Sequence, residues 1–111
     1  MNRYFVVERE QIVAEDLAQA IRVSDRTAAV DFFHAEAGVL RALRLSRPKA
    51  VIVSGDPRGF HETPLGRLLA EHAIPHALLS TLEDTSAVGS VVLTSPFSDE
   101  TVTAFLRSLP E

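Results

Sequence analysis

Short apolar runs recur along this chain with amphipathic stretches between them, and that alternation constrains the fold more than any other feature. In Ala50-Val51-Ile52-Val53 every side chain is apolar, so a strand built from it must be covered on both faces, as at the centre of a parallel sheet. Similar runs stand at Tyr4–Val7, His76–Leu79 and Val91–Leu93. Thr27–Phe33 reads as another strand, but Asp31 interrupts it, which suits a sheet edge.

The segments between these runs carry helical spacing. Over Gln11–Val23 the residues Val13, Leu17, Ala20 and Ile21 fall on one face, away from Glu15, Asp16, Gln19 and Arg22. Ala35–Leu45 places Val39, Leu40 and Leu43 inward and leaves Glu36, Arg41 and Arg44 solvated. Thr63-Pro64 supplies an N-cap and a first-turn proline for a helix reaching about Ala73. Ser98 caps a last helix with Asp99 and Glu100 in its first turn and an apolar stripe of Val102, Phe105, Leu106 and Leu109. Parallel neighbours need right-handed crossovers, so this order predicts a parallel five-stranded α/β sheet with helices on both faces.

With 111 residues the chain supports one domain, residues 1–111, and a single core. Its 11 basic and 15 acidic side chains give a net charge of −4, and the basic ones are scattered, so nucleic acid is not an expected partner. There is no cysteine, which excludes disulfides and thiolate metal sites. The apolar run at the N-terminus is too short for a signal core or a membrane span, so a cytoplasmic protein without membrane contact is expected.

In open sheets of this kind sites form beyond the carboxyl ends of the strands. Here those ends read Glu8-Arg9, Ser54-Gly55-Asp56, Ser80-Thr81 and Thr94-Ser95. No Gly-x-Ser-x-Gly elbow accompanies Ser54, and Gly55 and Gly59 make neither a phosphate loop nor a dinucleotide loop. His34, His61, His72 and His76 share no metal-ligand spacing and read as surface histidines, so no metal and no cofactor is expected.

In order along the chain, four segments resemble the receiver domain of two-component response regulators. Val6-Val7-Glu8-Arg9-Glu10, followed by Ile12–Leu17, is similar to the first strand, acidic pair and first helix of receivers. Arg47-Pro48-Lys49 leading into Ala50–Val53 resembles the segment that delivers the phosphoacceptor aspartate. Ile74–Ser80 is similar to the fourth strand with its switch hydroxyl, and Ser95-Pro96-Phe97-Ser98 to the Lys-Pro-Phe turn before the final helix. The resemblance implies a flavodoxin-like three-layer sandwich with strand order 2-1-3-4-5 and a cis peptide before Pro96. It further implies a role in phosphorelay signalling rather than catalysis, with a histidine kinase or another response regulator as protein partner.

The chain departs from that family where phosphoryl chemistry needs charge. A receiver takes a phosphoryl group on an aspartate, holds Mg²⁺ with two further acids and contacts the phosphoryl oxygens with a lysine. On this alignment the aspartate position is Ser54, the second acid is Arg9, the lysine is Ser95, and Glu8 and the switch hydroxyl Ser80 remain. A serine cannot form an acyl phosphate, and a carboxylate beside a guanidinium is a poor ligand set for a hard dication. The chain therefore resembles a degenerate receiver, or pseudoreceiver.

Each position also has an ordinary structural reading. Ser54 suits a small polar filler at a strand end, and Asp56 is either a displaced acceptor or part of an ordinary Asp-Pro-Arg-Gly turn. Arg9 is either a solvated first-turn residue or a built-in cation beside Glu8 and Asp56. A small ligand-binding or enzymatic domain on the same scaffold would use Glu8, Asp56 and Arg58. The run Thr81–Ser90 is too short and polar for the helix receivers carry there, so that fourth helix is expected to be short or missing. Its loss would bare the last strand, and a homodimer or partner contact on Leu82, Val88, Val91 and the final helix around Phe105 is the expected remedy.

Overall fold

The computed structural model describes residues 1–80, 91–94 and 97–110. Five strands, β1 (Arg3–Val7), β2 (Ala29–Phe33), β3 (Ala50–Ser54), β4 (His76–Ser80) and β5 (Val91–Thr94), pair in parallel in the order β2-β1-β3-β4-β5. Around them lie α1 (Gln11–Ser24), α2 (Glu36–Leu45), a short 3-10 helix (Phe60–Glu62), α3 (Pro64–Glu71) and α4 (Asp99–Arg107). This is the flavodoxin-like three-layer sandwich with strand order 2-1-3-4-5. The segment 81–90, where a short or missing fourth helix is expected, and Ser95-Pro96 with its expected cis peptide lie outside the described residues.

The pleat divides the strands between two cores. Tyr4, Val6, Ala50, Ile52, Ala77, Leu79 and Leu93 turn to one face, where Leu17 and Ile21 of α1 and Val102, Phe105 and Leu106 of α4 cover them. Phe5, Val7, Val51, Val53 and Leu78 turn to the other, under Val39 of α2 and Leu65 and Leu69 of α3. Successive residues of one strand thus feed opposite layers, which is why β1, β3 and β4 carry no polar alternation. On the second face Phe5 and Phe33 meet edge to face at 5.1 Å between ring centres.

Element ends depart from the sequence expectation where side chains intervene. The strand expected from Thr27 begins at Ala29, because the Asp25 turn accepts the Thr27 hydroxyl and, through its carbonyl, the Ala28 amide. The helix expected to reach Ala73 stops at Glu71. Ala73 takes a left-handed φ of 52°, and the Arg47 guanidinium donates to the carbonyls of His72 and Ala73 at 2.6 and 3.0 Å. Those carbonyls would otherwise be orphans of the helix terminus. At the sheet edge Asp31 pairs with Arg3 of the neighbouring strand.

Candidate functional site

The strand order changes direction between β1 and β3, so the switch point lies where these two central strands end. Val7 stands in register with Phe33 on one side and Val53 on the other, and the next residues, Glu8 and Ser54, open a cleft of about 340 Å³. Its floor is apolar, from Val7, Val53, Phe60 and Leu78, and its rim carries Glu8, Arg9, His34, Glu36, Ser54 and Asp56.

Glu8 is the buried acid of this cleft, only 9% exposed. Its amide donates to the Phe33 carbonyl at 2.9 Å, and its carboxylate accepts the Glu10 amide at 3.1 Å. Arg9 is exposed and makes no ion pair among the described residues. Arg9 is not the partner of Asp56, which pairs with Arg58. The Asp56 carboxylate accepts the Arg58 amide at 2.9 Å and both Nε and Nη2 of its guanidinium, a turn closed on itself. That guanidinium holds the Asp56 carboxyl below the usual carboxylate range. With side chains 51% and 72% exposed, Asp56 and Arg58 form a solvated pair turned toward each other, with Asp56 on the rim of the cleft that Glu8 also lines. Gly59, with a φ of 75°, completes that turn in a conformation glycine adopts freely.

Ser54 is half-buried at the end of β3, facing Leu79 in register, and Ser80 is buried at the end of β4. Ser95, Leu82 and Val88 lie outside the described residues. Of the expected contact residues, Val91 is 49% exposed, whereas Phe105 is 5% exposed. Phe105 packs into the core beside α1, within the apolar stripe of its helix, so a contact there would rest on the residues around it. Leu93 of β5 is likewise buried by the chain itself.

Two contributors were not legible in the sequence. Glu36, expected to be solvated, is half-buried and accepts the Leu65 amide at 2.8 Å. Together with Thr63, whose hydroxyl accepts the Gly66 amide at 3.0 Å, it satisfies the first turn of α3 and fixes one wall of the cleft. His34, read as a surface histidine, is exposed but bonds through Nδ1 to the Glu8 carbonyl at 3.2 Å and lines the cleft. The available signal was position, since His34 follows a strand end adjacent to β1. Among the described residues no group of three His, Asp or Glu side chains could hold a metal ion. Nor is any described helix long and apolar enough to cross a membrane.

No protein-family model matches the chain, and no curated protein sequence matches it. Solved structures do. Over 99% of both chains, the chemotaxis protein CheY4 of Vibrio cholerae superposes with a TM-score of 0.77 at 19% identity. A response regulator receiver protein from Burkholderia phymatum covers 100% of both chains with a TM-score of 0.73 at 24% identity. SdrG from Sphingomonas melonis is 26% identical over 96% of this chain and 94% of its own, with a TM-score of 0.74. The chain has the receiver fold.

Proposed function

We propose that this chain is a pseudoreceiver, a protein-interaction module of two-component signalling that is not itself phosphorylated. Ser54 carries the reading. It closes β3 at the switch point, where the resemblance puts the acceptor aspartate, and it brings no carboxylate to the cleft. The acid two residues on, Asp56, stands at the cleft rim but is held in its pair with Arg58. Of the degenerate site Glu8, Arg9, Ser54, Asp56, Ser80 and Ser95, Glu8 is then the only buried carboxylate among the described residues. Acyl-phosphate formation needs the acceptor, a dication and a cation on the phosphoryl oxygens together, and the first is missing outright.

The receiver fold of its structural neighbours supports the signalling role, and the partner on this reading is a protein: a histidine kinase, another response regulator or a second copy of the chain. Among the contact residues expected, Val91 keeps an open side chain for that role. A cytoplasmic setting and the lack of any enzymatic step belong to the same proposal.

The deciding experiment is intact mass spectrometry after incubation with acetyl phosphate and Mg²⁺. An unchanged mass is expected. A stable gain of one phosphate on Ser54, or a labile one on Asp56, would refute the pseudoreceiver reading.

A further inference from the structure

We propose that the cleft at the ends of β1 and β3 takes the Leu45 side chain of a second copy of this chain, so that copies join head to tail. Leu45 closes α2 and is 88% exposed. The exposed Arg41 stands one helical turn before it, Arg44 beside it and Arg47 two residues on. Between Glu36 and Asp56 the sequence has no acidic residue, and Lys49 adds another cation. An aliphatic knob thus stands in a wholly basic stretch. One bare leucine is ordinary on a protein surface, and it gains meaning from the matching shape and charge at the other end of the sheet.

That match is the cleft. Its floor of Val7, Val53, Phe60 and Leu78 is apolar, and its volume of about 340 Å³ admits a leucine side chain. At the rim Asp56 is paired with Arg58, while Glu8 and Glu36 outweigh Arg9, so the opening carries the sign opposite to that of the knob. The strands are parallel and α2 runs back along them, which puts the knob where strands begin and the cleft where they end. A chain therefore cannot fill its own cleft. Such a contact between copies is heterologous, and repeated it adds them in a row. The net charge of −4 makes copies repel one another on average, which favours the orientation that sets basic end against acidic rim.

This inference rests on the interaction-module reading, for which it names a partner, and the two fail separately. A phosphorylated chain would leave the contact standing, and a monomeric chain of unchanged mass would remove the contact alone. The test uses the ¹⁵N-labelled full chain carrying Leu45→Asp, which keeps the cleft and loses the knob at an exposed position. Unlabelled wild-type chain should move its Glu8, Ser54 and Gly55 amides saturably, with a dissociation constant of about 1 mM or tighter. Unlabelled Leu45→Asp chain should move none of them. Raising NaCl from about 50 mM to about 500 mM should weaken the binding at least about threefold, since the paired charges are exposed. The proposal is overturned if wild-type chain up to about 2 mM gives no saturable shift at these amides. Equal shifts from the Leu45→Asp chain, shifts gathered instead around Val91 on β5, or binding indifferent to salt would also overturn it.

Discussion

Replacing Gly66 by alanine should destabilise the chain although Gly66 sits in a helix, where alanine is ordinarily favoured by about 1 kcal/mol. A Cβ built at Gly66 lies 2.0 Å from the Phe60 carbonyl oxygen and 2.9 Å from its carbon, both backbone atoms that cannot rotate aside. The 3-10 helix would have to retreat from α3 by more than an ångström, loosening Phe60 and the Thr63 cap. Such overpacking costs about 1–3 kcal/mol and a lost cap about 1 kcal/mol, so after the propensity gain the net loss is about 1–3 kcal/mol. For a chain of this size that lowers the melting temperature by about 4–12 °C. Gly38 in α2 is the internal control. There the nearest atom to an added Cβ is a Phe33 side-chain carbon at 3.4 Å, and alanine should stabilise by about 0.5–1 kcal/mol. Far-UV circular dichroism with heat and with urea measures both variants. A Gly66→Ala chain that melts at or above the wild-type temperature would show that the 3-10 helix does not pack against α3, and with it that the cleft wall is not fixed.

Burial pushes the Tyr4 hydroxyl up to about 12, helped by the Asp25 carboxylate that accepts from it at 3.1 Å. Its folded value lies above the ordinary 10.0, so its contribution is intact below pH 10, is lost as pH rises through 12, and amounts to roughly 2–3 kcal/mol. Tyr4 is the chain's single tyrosine, so its absorbance reports the titration directly, and Tyr4→Phe should flatten the alkaline limb of the stability curve. Glu36→Ala should cost about 1 kcal/mol in urea unfolding through loss of the Leu65 contact, whereas Glu36→Gln, which keeps an acceptor, should cost about half of that. The double change Arg9→Asp and Ser54→Asp should lower the melting temperature without divalent ions and gain about 2.7 kcal/mol from Mg²⁺ at a hundredfold excess over its dissociation constant. A double variant indifferent to Mg²⁺ would refute the alignment of these positions with an acid cluster.

The fold was legible because its central strands have no polar face. Once Ala50–Val53 demands cover on both sides, parallel pairing and helices in two layers follow, and the stripe of Val102, Phe105 and Leu106 fits α4 without adjustment. The site was legible in position but not in pairing. Strand ends locate Glu8 and Ser54, but that Arg58 and not Arg9 holds Asp56 follows from the local turn after β3, where the Arg58 amide and guanidinium both reach the Asp56 carboxylate. Glu36 misled for a related reason. On its own helix it reads as a surface acid, and its partner is the amide of Leu65 on another element.

On the proposed reading, the electrostatics at the strand ends set how this domain could carry a signal. A receiver gathers carboxylates whose mutual repulsion a cation relieves, so occupation of the site changes the local charge and can bias two arrangements of the fold. Here Ser54 is neutral, Arg9 is a cation, and Asp56 is neutralised by Arg58, leaving Glu8 as the one buried acid among the described residues. The loops after β1 and β3 then close without like-charge repulsion, and the capped first turn of α3 holds the adjoining wall in place. A cleft so balanced gains little from a dication and has no acyl phosphate to respond to. A ligand shifts an equilibrium only by its differential affinity for the two states, so any switching must come from a molecule that contacts Glu8 and Arg9, or from a protein that docks elsewhere on the domain. In the second case the domain contributes a fixed surface, and its output follows from how much of it is present and bound.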